Sequence, residues 1–159
     1  MSTATPATRA LDAAGVPYRV IEYDYAPGSD SVAHQAAAAI GLPPGQLLKT
    51  LMVEVDGRPA CAVVPGDRSL SMKLVAKAFG GKSASMMPPP KAERLTGFHT
   101  GGISPFGQRK RSPVAFEIAA MSHLEVAINA GKRGMLLIVA PEAARAAIDA
   151  PACPLCAQP

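Results

Sequence analysis

At 159 residues the chain is one domain's worth, long enough to bury a core without metal or disulfide support. Its 48% hydrophobic content is ordinary, no apolar run approaches the roughly 18 residues of a membrane-spanning helix, and three cysteines, an odd number, fit a reducing compartment better than a disulfide framework. The net charge of +4 is mild, and three tyrosines, four phenylalanines and no tryptophan argue against a single-strand binder built on stacked aromatic platforms.

In chain order, Thr5-Pro6 followed by Ala7 to Ala14 and Gly15 predicts a capped helix, with proline at its first position and glycine just past its end. Tyr18 to Tyr23 reads as a strand, and Ser31 to Ile40 as a helix closed by Gly41. After the turn Leu42-Pro43-Pro44-Gly45, the runs Leu47 to Val55 and Arg58 to Val64 flank Asp56-Gly57, the strongest short hairpin signal in the sequence. Ser71 caps a helix running to Phe79 and ended by Gly80-Gly81, Ser83 to Met86 forms a short strand, and a short helix lies near Lys91 to Leu95. Val114 to Ile118, Glu125 to Asn129 and Met135 to Val139 are three more strands, and Pro141 opens a last helix ending near Ile148. Interspersed helices, strands and hairpins predict an α/β domain on a mixed sheet, with a domain over 1–150 and a flexible tail over 151–159.

The charge is unevenly placed. Between Arg68 and Arg111 nine basic residues face a single acid, Glu93, so the rest of the chain is net acidic. That is the electrostatic footprint of a phosphate-bearing partner; for Lys73, Lys77 and Lys82 a solvated helix face is the competing reading. Within this window Gly101-Gly102-Ile103-Ser104-Pro105-Phe106-Gly107 runs into Arg109, Lys110 and Arg111, joining flexible N–H donors to three fixed positive charges suited to RNA phosphates. Asn129-Ala130-Gly131-Lys132-Arg133-Gly134 is a second glycine-bracketed basic turn.

Alternation along the second strand aligns Leu47, Lys49, Leu51, Val53 and Val55, so Lys49 is the one polar member of an apolar face. Either its ammonium meets an anion in a cavity, or it snorkels to water from the strand's start. Ser104 is not read as a nucleophile: the elbow pattern needs glycine two positions on, where Phe106 stands, and a serine before proline suits a turn or a ligand contact. His34 and His123 lack metal-ligand spacing. Cys153-Pro154-Leu155-Cys156 looks like half a zinc site, yet Cys61 lies far away in sequence, and a disordered tail is the favoured reading.

Leu48-Lys49-Thr50-Leu51, Leu74-Val75-Ala76-Lys77-Ala78-Phe79-Gly80, Gly101 to Gln108 and Gly131-Lys132-Arg133-Gly134, in that order, resemble the YbaK/EbsC family and the editing domain inserted in bacterial prolyl-tRNA synthetase. The likeness covers about residues 5–150. It implies a single α/β domain on a mixed, partly barrel-like sheet and an aminoacyl-tRNA deacylase, a hydrolase or lyase of translation fidelity, that acts in trans in the cytoplasm. The implied partners are the acceptor end of aminoacyl-tRNA and prolyl-tRNA synthetase, with no membrane, metal or cofactor. Lys49, Gly101, Gly102, Ile103 and Ser104 are then the catalytic set: Lys49 holds the terminal phosphate or ribose, and the loop's N–H groups stabilise an oxyanion. Tyr23, Val32, Thr50, Asn129, Gly131, Lys132 and Arg133 would contact substrate.

In the branch that acts on Cys-tRNA(Pro), the substrate thiol attacks its own carbonyl and leaves as a thiolactone; other branches position a water. Tyr23 matches the cysteine-specific pattern, whereas Val32 stands where phenylalanine is expected and Asn129 where serine is. The amino acid removed, Cys, Ala or Ser, therefore stays open. A non-catalytic tRNA- or nucleotide-binding module is the alternative.

Overall fold

Thr5 fixes the start of helix α1 (Pro6–Ala14) through a reciprocal cap. Its hydroxyl accepts the Thr8 N–H at 3.1 Å and the Thr8 hydroxyl accepts the Thr5 N–H at 2.8 Å. The Thr5 hydroxyl also donates to the Ala130 carbonyl at 2.6 Å, pinning the helix to a distant strand. Gly15 closes α1 at φ +72°, as the sequence predicts. The computed structural model describes residues 4–25 and 37–158, so most of the predicted helix 31–40 lies outside the described residues; 37–40 are helical.

Strand β1 (Arg19–Glu22) is followed, beyond a 3-10 turn at Pro44–Gln46, by β2 (Leu48–Val55) and β3 (Arg58–Pro65). The β2–β3 hairpin turns on Asp56 and Gly57 at φ +50° and +80°, the paired positive values of a type I′ turn. Helix α2 (Met72–Ala78) starts at Ser71, whose hydroxyl accepts the Leu74 N–H at 3.2 Å. Next come β4 (Ala84–Met86), α3 (Pro89–Thr96), β5 (Val114–Glu117), β6 (Val126–Lys132), β7 (Met135–Val139), α4 (Pro141–Ala147) and β8 (Ala152–Cys153).

These strands make two sheets, β1-β7-β6 and β4-β2-β3-β5-β8. The first is antiparallel; in the second, β5 runs parallel to β3 and β8. A parallel bridge from Leu47 to Ala127 links the beginning of β2 to β6, so the sheets wrap around a shared interior in the mixed arrangement expected. The central hairpin is buried on both faces. Leu48, Met52, Cys61 and Val63 pack with Phe106, Phe116, Ile128 and Leu137, while Val53, Val55, Ala62 and Val64 pack with Val75 and Leu155. The unbroken apolar run Ala60–Val64 follows from this two-sided burial.

The tail after Pro151 departs from the expected loose segment. β8 pairs with Phe116 and Glu117, Leu155 is wholly buried, and the Glu117 carboxylate accepts the Leu155 and Cys156 N–H groups at 2.9 and 3.0 Å. Short and proline-punctuated, this segment carries no periodicity; its order comes from contacts with Phe116 and Glu117, outside the segment itself. Burial would raise the Glu117 carboxyl, but the N–H groups of Ala119, Leu155 and Cys156 together hold it below the usual carboxylate range.

Candidate active site

A cavity of about 330 Å³ opens where the two sheets meet. The start of β2 supplies Lys49 and Thr50, Tyr23 follows β1, Asn129 comes from β6, and Gly101 and Ile103 come from the loop after α3; Met86, Met87 and Pro89 form an apolar lip. Tyr23 is seated by its own N–H, which donates to the Gly134 carbonyl at 2.8 Å.

Lys49 is half-buried across from Val64, and no carboxylate among the described residues pairs with its ammonium. Lys49 is among the residues that line the cavity. Two hydroxyl oxygens on the same walls, Tyr23 Oη and Thr50 Oγ1, are buried without a hydrogen-bond partner among the described residues. Burial, then the neighbouring Tyr25, raises the Tyr23 phenol, which therefore stays protonated and able to donate. A charge and two hydroxyls left unsatisfied in one cavity are costly in an empty protein and suit a polar ligand.

The glycine loop is tightly held. The Glu93 carboxylate accepts the Thr100 N–H at 2.7 Å, Arg133 Nε donates to the Thr100 carbonyl at 2.8 Å, and Asn129 Nδ2 donates to the Gly101 carbonyl at 3.1 Å. Tyr25 closes one side: its hydroxyl lies 3.0 Å from where a Cβ on Gly101 would sit, and the Arg133 guanidinium stands 5.4 Å from its ring centre. The Gly102 N–H is spent on the His99 carbonyl at 2.8 Å, whereas those of Gly101 and Ile103 have no partner among the described residues. Two N–H donors on one cavity wall are the components of an oxyanion hole.

Residues 27–147 match the family described as the aminoacyl-tRNA editing domain. The chain belongs to that family. It is 37% identical over 142 residues to EbsC of Enterococcus faecalis, named as a candidate Cys-tRNA(Pro)/Cys-tRNA(Cys) deacylase, covering 87% of this chain and 85% of that one. A proline–tRNA ligase of Nitratidesulfovibrio vulgaris is 34% identical over 107 residues, 66% of this chain, which spans 17% of the ligase. A crystal structure described as a candidate trans-editing enzyme for prolyl tRNA synthetase superposes with TM-score 0.84 at 26% identity, covering 99% of this chain and 100% of that one.

The editing domain brings Lys49, Tyr23, Thr50, Asn129, Gly101 and Ile103 to one cavity, and leaves other expected site residues off its walls. Ser104 is fully buried and its hydroxyl accepts the Phe106 N–H at 3.3 Å, the turn role that its place before proline suggests. Gly131 and Arg133 shape or brace the glycine loop from behind, and the Lys132 side chain is exposed. Val32 and His34 lie outside the described residues. Arg109, Lys110 and Arg111 are exposed and none of them lines this cavity; the first two donate main-chain N–H groups to Thr96 and Leu95 at the C-terminal end of α3.

The bracing residues Glu93 and Tyr25 escaped sequence reasoning. Glu93 carried a signal, being the single acid in the basic window. Cys61 is wholly buried, which pushes its thiol up to about 12, and burial likewise pushes Cys156 up to about 11; neither is a thiolate at neutral pH.

Proposed function

We propose that this protein deacylates mischarged tRNA in trans, in the cytoplasm, removing a small amino acid such as Cys, Ala or Ser from tRNA(Pro) after release by prolyl-tRNA synthetase. The observation that supports this reading is that one cavity is lined by Lys49, which has no ion pair among the described residues, and by Gly101 and Ile103, whose N–H groups have no partner among them. Lys49 holds the terminal phosphate or ribose of the acceptor end. The two N–H groups stabilise the oxyanion that forms as the ester carbonyl is attacked.

No protein nucleophile is needed. With Cys-tRNA, the substrate sulfur adds to its own carbonyl carbon, the bond to the ribose oxygen breaks, and that oxygen takes the thiol proton, leaving a thiolactone. With Ala or Ser esters, a water held by the free hydroxyls of Tyr23 and Thr50 adds instead, releasing the free amino acid. Fixed geometry supplies much of the acceleration in either case.

Incubating catalytic amounts of protein with Cys-, Ala-, Ser- and Pro-tRNA(Pro) tests the reading. Multiple turnovers on the small residues and little on Pro-tRNA(Pro) are expected; binding without turnover would make the protein a tRNA-binding module.

A further inference from the structure

Behind the glycine loop lies a second cavity of about 270 Å³, walled by Pro105, Gly107 and Gln108 of the loop, Arg111 and Ser112 beyond it, Ala10 of α1 and Ala147 of α4. Its lining contains no carboxylate. The Arg111 guanidinium has no ion pair among the described residues, and Ser112 Oγ is buried without a hydrogen-bond partner among them. The main-chain bonds that tie this segment to α3 stop at Lys110, so neither the Arg111 nor the Ser112 N–H is committed to a described residue. Gln108 connects the cavity to the active-site loop, donating its amide N–H to the Ser104 carbonyl at 3.0 Å.

A permanent cation, an unsatisfied hydroxyl and free N–H groups without a competing acid are complementary to an oxyanion. The space is below the roughly 300–1,000 Å³ usual for drug-sized ligands, but it accommodates a phosphate with the atoms on either side. We propose that Arg111 and Ser112 form a seat for one backbone phosphate of the acceptor strand, distinct from the Lys49 cavity and set behind the same loop. The proposal rests on the tRNA-deacylase reading. It makes the loop the partition between a reacting end, on the Gly101–Ile103 side, and a backbone anchor, on the Pro105–Ser112 side.

The test is the salt dependence of binding to uncharged tRNA(Pro), measured by fluorescence with the full chain. Losing one phosphate contact lowers the slope of log K against log [salt] by about 0.7–0.9, so Arg111→Gln should show that drop with about tenfold weaker binding. Ser112→Ala, which removes no charge, should weaken binding about threefold to tenfold at unchanged slope. Ala147→Glu, which brings an acid to the opposite wall, should weaken binding as Arg111→Gln does and guards against a folding artefact at 111–112. Inorganic phosphate at fixed ionic strength should compete with tRNA on the native protein and lose that effect in Ser112→Ala. Unchanged tRNA affinity and slope in all three variants would overturn the seat, as would phosphate binding that leaves tRNA binding unaffected. If the native protein neither binds nor deacylates charged tRNA, the functional reading fails first.

Discussion

Asn129 ties the two glycine turns of the site together. Its Nδ2 donates to the Gly101 carbonyl at 3.1 Å while its Oδ1 accepts the Gly131 and Lys132 N–H groups at 2.7 and 3.2 Å. An amide committed in this way has little left for substrate. The bonds in place use the Asn129 carbonyl oxygen and one of its two amide hydrogens, so we expect Asn129 to shape the cavity more than it reads the amino-acid side chain.

Asn129→Ala should accordingly lower kcat about tenfold or more for every small substrate alike, without changing their ranking, and cost about 1–3 kcal/mol of stability from the unsatisfied groups it leaves. Parallel deacylation rates on Cys- and Ala-tRNA and a urea titration check this; a shift in preference between them would return Asn129 to the recognition role.

Lys49→Ala should separate stability from activity. An unpaired cation on an apolar-lipped cavity contributes nothing to folding, so the melting temperature should hold or rise while turnover falls by about two orders of magnitude or more, the scale of losing a transition-state contact. Thermal denaturation beside single-turnover deacylation reads both.

Glycine is required at 102 and 131 for different reasons. A Cβ on Gly102 would lie 2.9 Å from the Arg133 main-chain nitrogen, and one on Gly131, at φ +94°, would lie 2.7 Å from the Phe98 ring. Backbone cannot yield and the Phe98 ring is buried, so Gly102→Ala and Gly131→Ala should each destabilise by about 1–3 kcal/mol, measured by urea unfolding.

The Glu93 brace should be pH-dependent. The Thr100 N–H, foremost among its contacts, holds the Glu93 carboxyl below its ordinary value. A group whose pKa is depressed on folding contributes stability above its unfolded pKa and loses it as pH falls through the folded one. Glu93→Gln should therefore melt lower than the native protein at neutral pH, with the gap closing once pH drops below the carboxylate range; a pH series of melting curves for the pair checks it.

Leu155→Ala tests the packed tail. Truncating a wholly buried leucine in the cluster of Val53, Val64 and Val75 should cost about 2–5 kcal/mol, whereas a loose tail would lose nothing.

Local chemistry determined most of the elements of this protein. Thr5-Pro6 and Gly15 bound α1, Asp56-Gly57 turns the hairpin, and Ser71 caps α2, because caps and tight turns are satisfied by residues within three or four positions of one another. The lysine on an apolar strand face and the glycine loop were legible as a site for the same reason: each breaks a local pattern. The tertiary structure decided what those residues are free to do. It committed the Gly102 N–H to His99, the Asn129 amide to two turns, Arg133 to Thr100 and the last residues to Glu117, and it left the N–H groups of Gly101 and Ile103 without a partner among the described residues. Sequence specifies donors and acceptors in full, but which remain unpaired depends on partners as far away as the 125 residues between Thr5 and Ala130, set by how the two sheets close around the core.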